Sequence, residues 1–181
     1  MLGKPEAELL PGGHLIVWSV EDGRNLFNTA FYGKPLGNPK PKEDFEEPLV
    51  LDLIEATYLL EIKKLRIRSK GKTVTLPRLK ATARSLFAGF DERYAVYRDL
   101  RERGLIVTPG LKYGCDFAVY EHGPGIDHAP YVVQVASEGD DMGSTEIVKA
   151  GRLASTVRKA FILAVPAETG VRYMEFRWWK A

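Results

Sequence analysis

The chain changes period at Gly104, and that change restricts the possible folds more than any other feature. From Leu105 onward the apolar residues come in short runs rich in Val, Ile, Phe and Tyr. The runs are LIVTPGLKYG, DFAVY, YVVQVA (Tyr131 to Ala136), FILAV and VRYMEFRWW, and they read as strands. One helical stretch interrupts them. Ser144 or Thr145 offers N-cap chemistry, and a helix running to about Lys159 puts Ile147, Leu153, Val157 and Phe161 at candidate buried positions. Just before the change, Tyr94, Val96, Tyr97 and Leu100 share one side of a helix from about Glu92 to Arg103. Asp91 is its expected cap and Gly104 its expected stop. The C-terminal part is therefore expected to be α/β (α+β), a central sheet flanked by helices.

The N-terminal part mixes its elements. His14 to Val20 reads as a strand, with Gly12-Gly13 before it and a Glu21-Asp22-Gly23 turn after it. Tyr32 to Pro48 contains four prolines and two glycines among its lysines, and reads as a long charged loop. Leu49 to Glu61 shows helical periodicity after Pro48, and Leu65 to Leu76 alternates about Lys70-Gly71-Lys72 like a hairpin. Pro77 opens a helix expected from Arg78 to Phe90. The pattern divides the chain into a small mixed α/β domain, residues 1–86, with its long loop at about 32–48, and a second domain, residues 87–181.

Composition limits the function classes. The 26 Lys and Arg residues barely outnumber the 24 Asp and Glu residues, so the net charge of +2 supplies no global attraction to a polyanion, and any nucleic-acid site must be a local patch. The single cysteine, Cys115, excludes an intrachain disulfide and a cysteine-rich zinc site, and is expected to be a small apolar filler in a reducing cytosol. No run reaches the ~18 apolar residues of a membrane span, and the N-terminus lacks a basic segment followed by a long apolar run. A soluble cytoplasmic protein with no membrane association is expected.

Of the three histidines, His14, His122 and His128, only the last two sit among other chemically able groups, in EHGPGIDHAPYVV. A metal-dependent nuclease would need a second acid and a lysine, in Glu-X-Lys order, on the strand after Asp116. That stretch is Val133-Gln134-Val135-Ala136, which offers neither, so no metal and no cofactor are expected. Asp116 is expected to bond backbone groups in the turn after Tyr113-Gly114.

The segment YGCDFAVYEHGPGIDHAPYVVQV, followed by GRLASTVRKAFILAV, closely resembles the C-terminal catalytic nuclease domain of archaeal tRNA-splicing endonucleases. The resemblance extends to YRDLRERGLIVTPGLKYG and, more loosely, to LVLDLIEATYLLE. The family's pattern has a Tyr-Gly-X-Asp-Phe run ending in a catalytic tyrosine, a catalytic histidine before an apolar strand, and a catalytic lysine in Val-Arg-Lys. These fall on Tyr120, His128 and Lys159. RNA carries its own nucleophile, the 2′-OH, so three side chains can cut it without a metal. The resemblance implies Tyr120 as general base, His128 as general acid and Lys159 as the cation beside the transition-state charge.

The resemblance also implies a substrate and an assembly. The substrate is pre-tRNA in a bulge-helix-bulge fold, whose splayed bases are gripped by arginines matching Arg152 and Arg172. The acidic loop with Asp140 and Asp141 matches one that plugs into a facing subunit. Adjacent Trp178 and Trp179 point to opposite faces of the last strand, one toward the core and one toward an interface. The Lys-Pro-rich loop resembles an insertion of crenarchaeal catalytic subunits, which work in an α2β2 heterotetramer with a non-catalytic partner. Lys34, Lys40 and Lys42 are its candidate RNA contacts. Two alternatives remain: a non-catalytic RNA-binding subunit of the same assembly, and a metal-dependent nuclease of similar fold.

Overall fold

The computed structural model describes residues 3–38, 41, 44–126, 128–145, 147–148, 151–152 and 159–176. Lys40, Lys42, Leu153, Val157, Trp178 and Trp179 lie outside them. The chain forms two compact units, Met1–Phe90 and Asp91–Ala181, both of mixed α/β structure as the pattern predicts. Among the described residues no helix is long and apolar enough to cross a membrane.

The first unit holds a six-stranded sheet of β1 (Glu6–Leu9), β2 (Leu15–Val17), β3 (Lys34–Pro35), β4 (Leu49–Leu51), β5 (Arg66–Ser69) and β6 (Lys72–Thr73), in the order β3-β4-β2-β1-β5-β6. β1 and β5 are parallel and the other pairs antiparallel. Leu15, Val17, Leu49, Leu51 and Ile67 are fully or almost fully buried with Leu59 and Leu79, which belong to helices α2 (Leu53–Glu61) and α3 (Leu76–Leu86).

Three local readings change. Ser19 to Gly23, expected to end a strand and form a turn, instead opens helix α1 (Val20–Ala30), because the Ser19 hydroxyl accepts the Asp22 amide at 3.2 Å and caps it. Gly23 is a packing residue rather than a turn residue, since a Cβ there would stand 3.0 Å from the Leu49 Cβ. Leu49 to Leu51 is strand, not helix. The buried, half-buried, buried alternation there has period two, and α2 starts only after Asp52 and Glu55 close a reciprocal capping box. Glu55 is itself 4% exposed, and its carboxylate is satisfied by the amides of Asp52 (3.2 Å) and Gly33 (3.0 Å). That second bond fastens the start of the Lys-Pro-rich segment, whose Lys34 and Pro35 pair with β4 instead of forming loop.

The second unit holds a sheet ordered β11-β10-β9-β8-β7, built from β7 (Ile106–Pro109), β8 (Phe117–Tyr120), β9 (Tyr131–Val135), β10 (Ala160–Ala167) and β11 (Gly170–Phe176). Only β9 and β10 are parallel. Helix α4 (Phe90–Glu102) covers one face, with Tyr97 and Phe117 rings 6.0 Å apart. Asp91 lies inside its first turn instead of capping it. The Arg101 guanidinium, 8% exposed, donates to the Tyr97 hydroxyl and the Val107 carbonyl, so its burial is satisfied. Tyr173 on β11 donates to Asp99 at 2.6 Å. Burial alone would raise the Asp99 carboxyl, but the hydrogen bonds from Arg103 and Tyr173 outweigh it and hold the group below the usual carboxylate range.

Between β9 and β10, Ser144, Thr145, Ile147, Val148, Gly151 and Arg152 are helical. Ile147, expected to be buried, is 42% exposed, and Phe161 is buried as a strand residue of β10. β10 runs through Pro166 to Ala167, so its hairpin to β11 has only Glu168 and Thr169 at the tip.

The α2 cap is an isolated, checkable feature. Asp52→Ala is expected to lower stability by about 1 kcal/mol, because its side chain accepts the otherwise orphaned Glu55 amide in the first turn. Thermal melting of the full chain measures it, and an unchanged midpoint would contradict the assignment.

Candidate active site

The register of the second sheet gathers four strand ends. Ile106 pairs with Tyr120, Val119 with Tyr131, and Tyr131 with Ala160. Tyr120 thus closes β8 beside the residue that precedes β9, and Lys159 immediately precedes β10. The Ala160 amide donates to the Pro130 carbonyl at 2.9 Å, which extends the pairing to that level. With strands about 4.8 Å apart, the backbones of Tyr120 and Lys159 stand about 10 Å apart, two strand steps. Period-two alternation puts Tyr120 on the face that carries Ala118, Val132 and Phe161, opposite α4.

Lys159 reaches the same face. Its ammonium donates to the Ala129 carbonyl and lies 5.1 Å from the centre of the Tyr113 ring, a cation–π distance. Tyr113 packs against the buried cluster of Cys115, Val132 and Phe161 on that face. Ala129 is the chain neighbour of His128, so the lysine is tied to the segment that carries the histidine. His128 is exposed and Tyr120 half-buried. Lys159 is not helical, although the sequence pattern puts it at a helix end.

Tyr113 is visible in the sequence only as part of a motif. It is held by a 3-10 turn, Leu111–Tyr113, which needs Gly110: a Cβ there would meet the Cys115 carbonyl and Sγ at 2.7 Å. The Cys115 thiol is pushed up to about 11 by burial first and by the neighbouring Asp116 charge second, so it stays protonated and unreactive near neutrality.

The Asp116 carboxylate turns away from the turn backbone, which its carbonyl meets by accepting the Gly110 amide at 2.8 Å. Its Oδ1 accepts from Arg93 of α4 at 2.6 Å, and its Oδ2 accepts from Gln134 Nε2 and the Val135 amide of β9, both at 2.7 Å. The carboxylate that a two-carboxylate metal site would use is thereby engaged in joining α4, β8 and β9. Among the described residues no three His, Cys, Asp or Glu side chains are grouped so as to hold a metal ion.

Arg172, Asp140 and Asp141 are not drawn to this sheet end. Arg172 pairs with Val165, six residues along β10 from Lys159, or about 20 Å away at 3.3 Å per residue. It stands 3.8 Å from Glu138 at the far end of the sheet, beside a cleft that Asp140, Asp141 and Met174 also line. Asp140 closes a turn, its carboxylate accepting the Ser137 amide at 2.7 Å. Arg152 is exposed and helical, but residues 153–158, which connect it to Lys159, lie outside the described set. Lys34 belongs to the first unit and is exposed.

Known proteins match along almost the whole chain. A tRNA-splicing endonuclease of Hyperthermus butylicus is 46% identical over 176 residues, covering 95% of this chain and 97% of the relative. One from Sulfurisphaera tokodaii is 41% identical, covering 92% and 94%, and one from Saccharolobus solfataricus is 39% identical, covering 95% and 97%. The chain belongs to the tRNA-splicing endonuclease family. The family's N-terminal domain matches residues 7–80 and its catalytic C-terminal domain residues 90–173, one in each compact unit. As a tRNA-splicing endonuclease it is an endoribonuclease, with Tyr120, His128 and Lys159 all inside the matched catalytic domain.

The Asp116 anchor should dominate the stability of this domain. Asp116→Asn removes the carboxylate charge from the Arg93–Asp116 ion pair, whose side chains are 26% and 12% exposed. A loss of about 2–4 kcal/mol in denaturant unfolding is expected. A loss below about 0.5 kcal/mol, the size usual at the surface, would show that the anchor does not hold the sheet.

Proposed function

We propose that this chain is the catalytic subunit that cuts pre-tRNA at intron–exon junctions held in a bulge-helix-bulge fold, without a metal ion. The observation that carries the reading is the meeting of Lys159, the His128 segment and the end of β8 at one sheet end, in a chain of this family. Tyr120, as phenolate, takes the proton of the 2′-OH, and that oxygen bonds to phosphorus. The bond from phosphorus to the 5′-oxygen breaks as His128, as imidazolium, gives that oxygen a proton. Lys159 stays charged beside the non-bridging oxygens of the phosphorane. The products are a 2′,3′-cyclic phosphate and a 5′-OH.

The rest of the reading concerns binding. Arg152 and Arg172 grip splayed bases, and Lys34, Lys40 and Lys42 contact phosphate. Because Arg172 stands far along β10 from Lys159, it meets RNA away from the phosphate its own chain cuts. Asp140 and Asp141 lie in the contact with a non-catalytic partner chain, in an α2β2 heterotetramer working in the cytoplasm.

Single-turnover cleavage of a bulge-containing RNA in EDTA, with the partner subunit present, tests the chemistry. His128→Ala is expected to slow cleavage by about 10²–10⁴-fold. A 5′-thio leaving group, which departs without a proton, should restore most of that loss. Cleavage that needs Mg²⁺ and survives His128→Ala would sink the reading.

Tyr113 supports the same step through Lys159. Tyr113→Leu is expected to lower kcat about two- to fivefold with KM unchanged, the size of a partly exposed cation–π contact, while Tyr113→Phe keeps the ring face and the rate. An equal loss in both variants would mean that the hydroxyl, not the ring, matters.

A further inference from the structure

The positive charge of this chain is concentrated in one place. Residues 61–80 carry Lys63, Lys64, Arg66, Arg68, Lys70, Lys72, Arg78 and Lys80 against Glu61 alone, a net +7. The whole chain is +2, so the other 161 residues sum to −5. This segment includes the β5–β6 hairpin of the first unit, and the sheet sorts its side chains. Leu65, Ile67 and Val74 are buried, whereas Lys64, Arg66, Arg68 and Lys70 are exposed; Lys72, also exposed, pairs with Ser69 and so lies on the face of Ile67 and Val74.

Register extends the surface beyond the hairpin. Lys34 pairs with Val50, Val50 with Ile16, Ile16 with Glu8, and Glu8 with Arg68, so these residues share one sheet face, open at Lys34 and Arg68 and closed at the buried Ile16. Lys34 on β3 and Arg68 on β5 are four strand steps apart, about 19 Å. Trp18 is held over this face, 54% exposed, with its indole N–H donating to Glu8 at 2.8 Å. That bond pins the ring and leaves much of it open. Glu6 is the acid nearest the arginines, 4.0 Å from Arg66 and 3.3 Å from Arg68. One carboxylate between two guanidinium forks aligns them while leaving further N–H donors of each available.

The hairpin tip adds a further indication. Lys70 and Gly71 have φ values of 49° and 76°, so a lysine occupies a left-handed turn position where Asn or Gly fits with less strain. We propose that this outward face of the first unit is a second RNA-binding surface: Arg66, Arg68 and Lys70 take phosphates of the substrate, and Trp18 stacks on an unpaired base. Exposed cations on the sheet face that also carries a pinned, open aromatic ring suit a polyanion with π-faces. The chain's own kind of acidic loop, Glu138 to Asp141, is four residues folded into a turn and too short to cover a surface about 19 Å wide. The inference rests on the RNA-cleaving function above and adds where the substrate is held.

The test uses the full chain with its partner subunit. In the triple variant Arg66→Gln, Arg68→Gln, Lys70→Gln, the KM for bulge-containing RNA should rise at least about tenfold between about 50 and 200 mM salt, with kcat within about twofold. The slope of log affinity against log salt should fall by about 2–3, near 0.7–0.9 for each phosphate no longer neutralised. Trp18→Ala should raise KM without changing that slope, and Trp18→Phe should restore it. Circular dichroism confirms folding, and single Arg68→Gln and Lys70→Gln variants replace the triple if it does not fold. RNA binding is also measured directly in the His128→Ala background. A wild type that never cleaves refutes the proposed function, while weakened binding in the triple variant would still uphold the surface. Unchanged KM, binding and salt slope in an actively cleaving enzyme overturn the surface. So does unchanged RNA binding with a smaller assembled particle, which would make the face a subunit contact.

Discussion

A carboxylate with three donors sets the geometry on which the catalytic domain depends. Asp116 stands just before β8, accepts from Arg93 of α4, and takes both a side-chain and a backbone donor from the end of β9. Those bonds fix which residue of β9 lies opposite which residue of β8. A slip of one residue would turn Tyr120 to the α4 face and move Val119, now 1% exposed, off it. The parallel pairing of β9 with β10 carries the same register to Lys159. The acid that a metal-dependent nuclease would spend on a cation thus acts at a distance of one strand length from the site, through backbone position.

How much of this the residues disclose depends on whether local or distant contacts decide. The strands of the second unit are legible because their runs are short, β-branched and bounded by glycine or charge, so local propensity and tertiary burial agree. α1 and β4 are misread for the opposite reason. In Glu21-Asp22-Gly23 the glycine looks like a turn, yet its missing Cβ admits Leu49, twenty-six residues away. Leu49 to Leu51 has both helical and strand spacing over so few residues. Only the partners β2 and β3 settle the choice, and Asp52 then begins the helix that the pattern starts too early.

The site shows the same division. Tyr120, His128 and Lys159 stand out through an ordered motif, not through composition, which gives no reason to prefer His128 over His122. What the motif does not disclose is how they are held. The Ala129 carbonyl is backbone, invisible in side-chain patterns, and Tyr113 meets Lys159 only because Gly110 permits a close turn at Cys115. Arg172 is the converse case. Its type and order match, but the β10–β11 hairpin puts it beside Glu138 at the other end of the sheet.

The surroundings of Lys159 explain why a ring and a carbonyl suit that position better than an acid. A carboxylate would hold the ammonium equally well, but its negative charge would cancel much of the field felt by a phosphate nearby. A neutral carbonyl and the face of Tyr113 restrain the group through partial charges and leave its full unit of charge available, which the proposed reaction uses at the non-bridging oxygens. In that proposed reaction an ammonium already aligned before RNA arrives needs little reorganisation as the phosphorane forms. Arg93 shows the opposite arrangement: it joins the domain through a carboxylate, whereas the partners of Lys159 among the described residues are neutral.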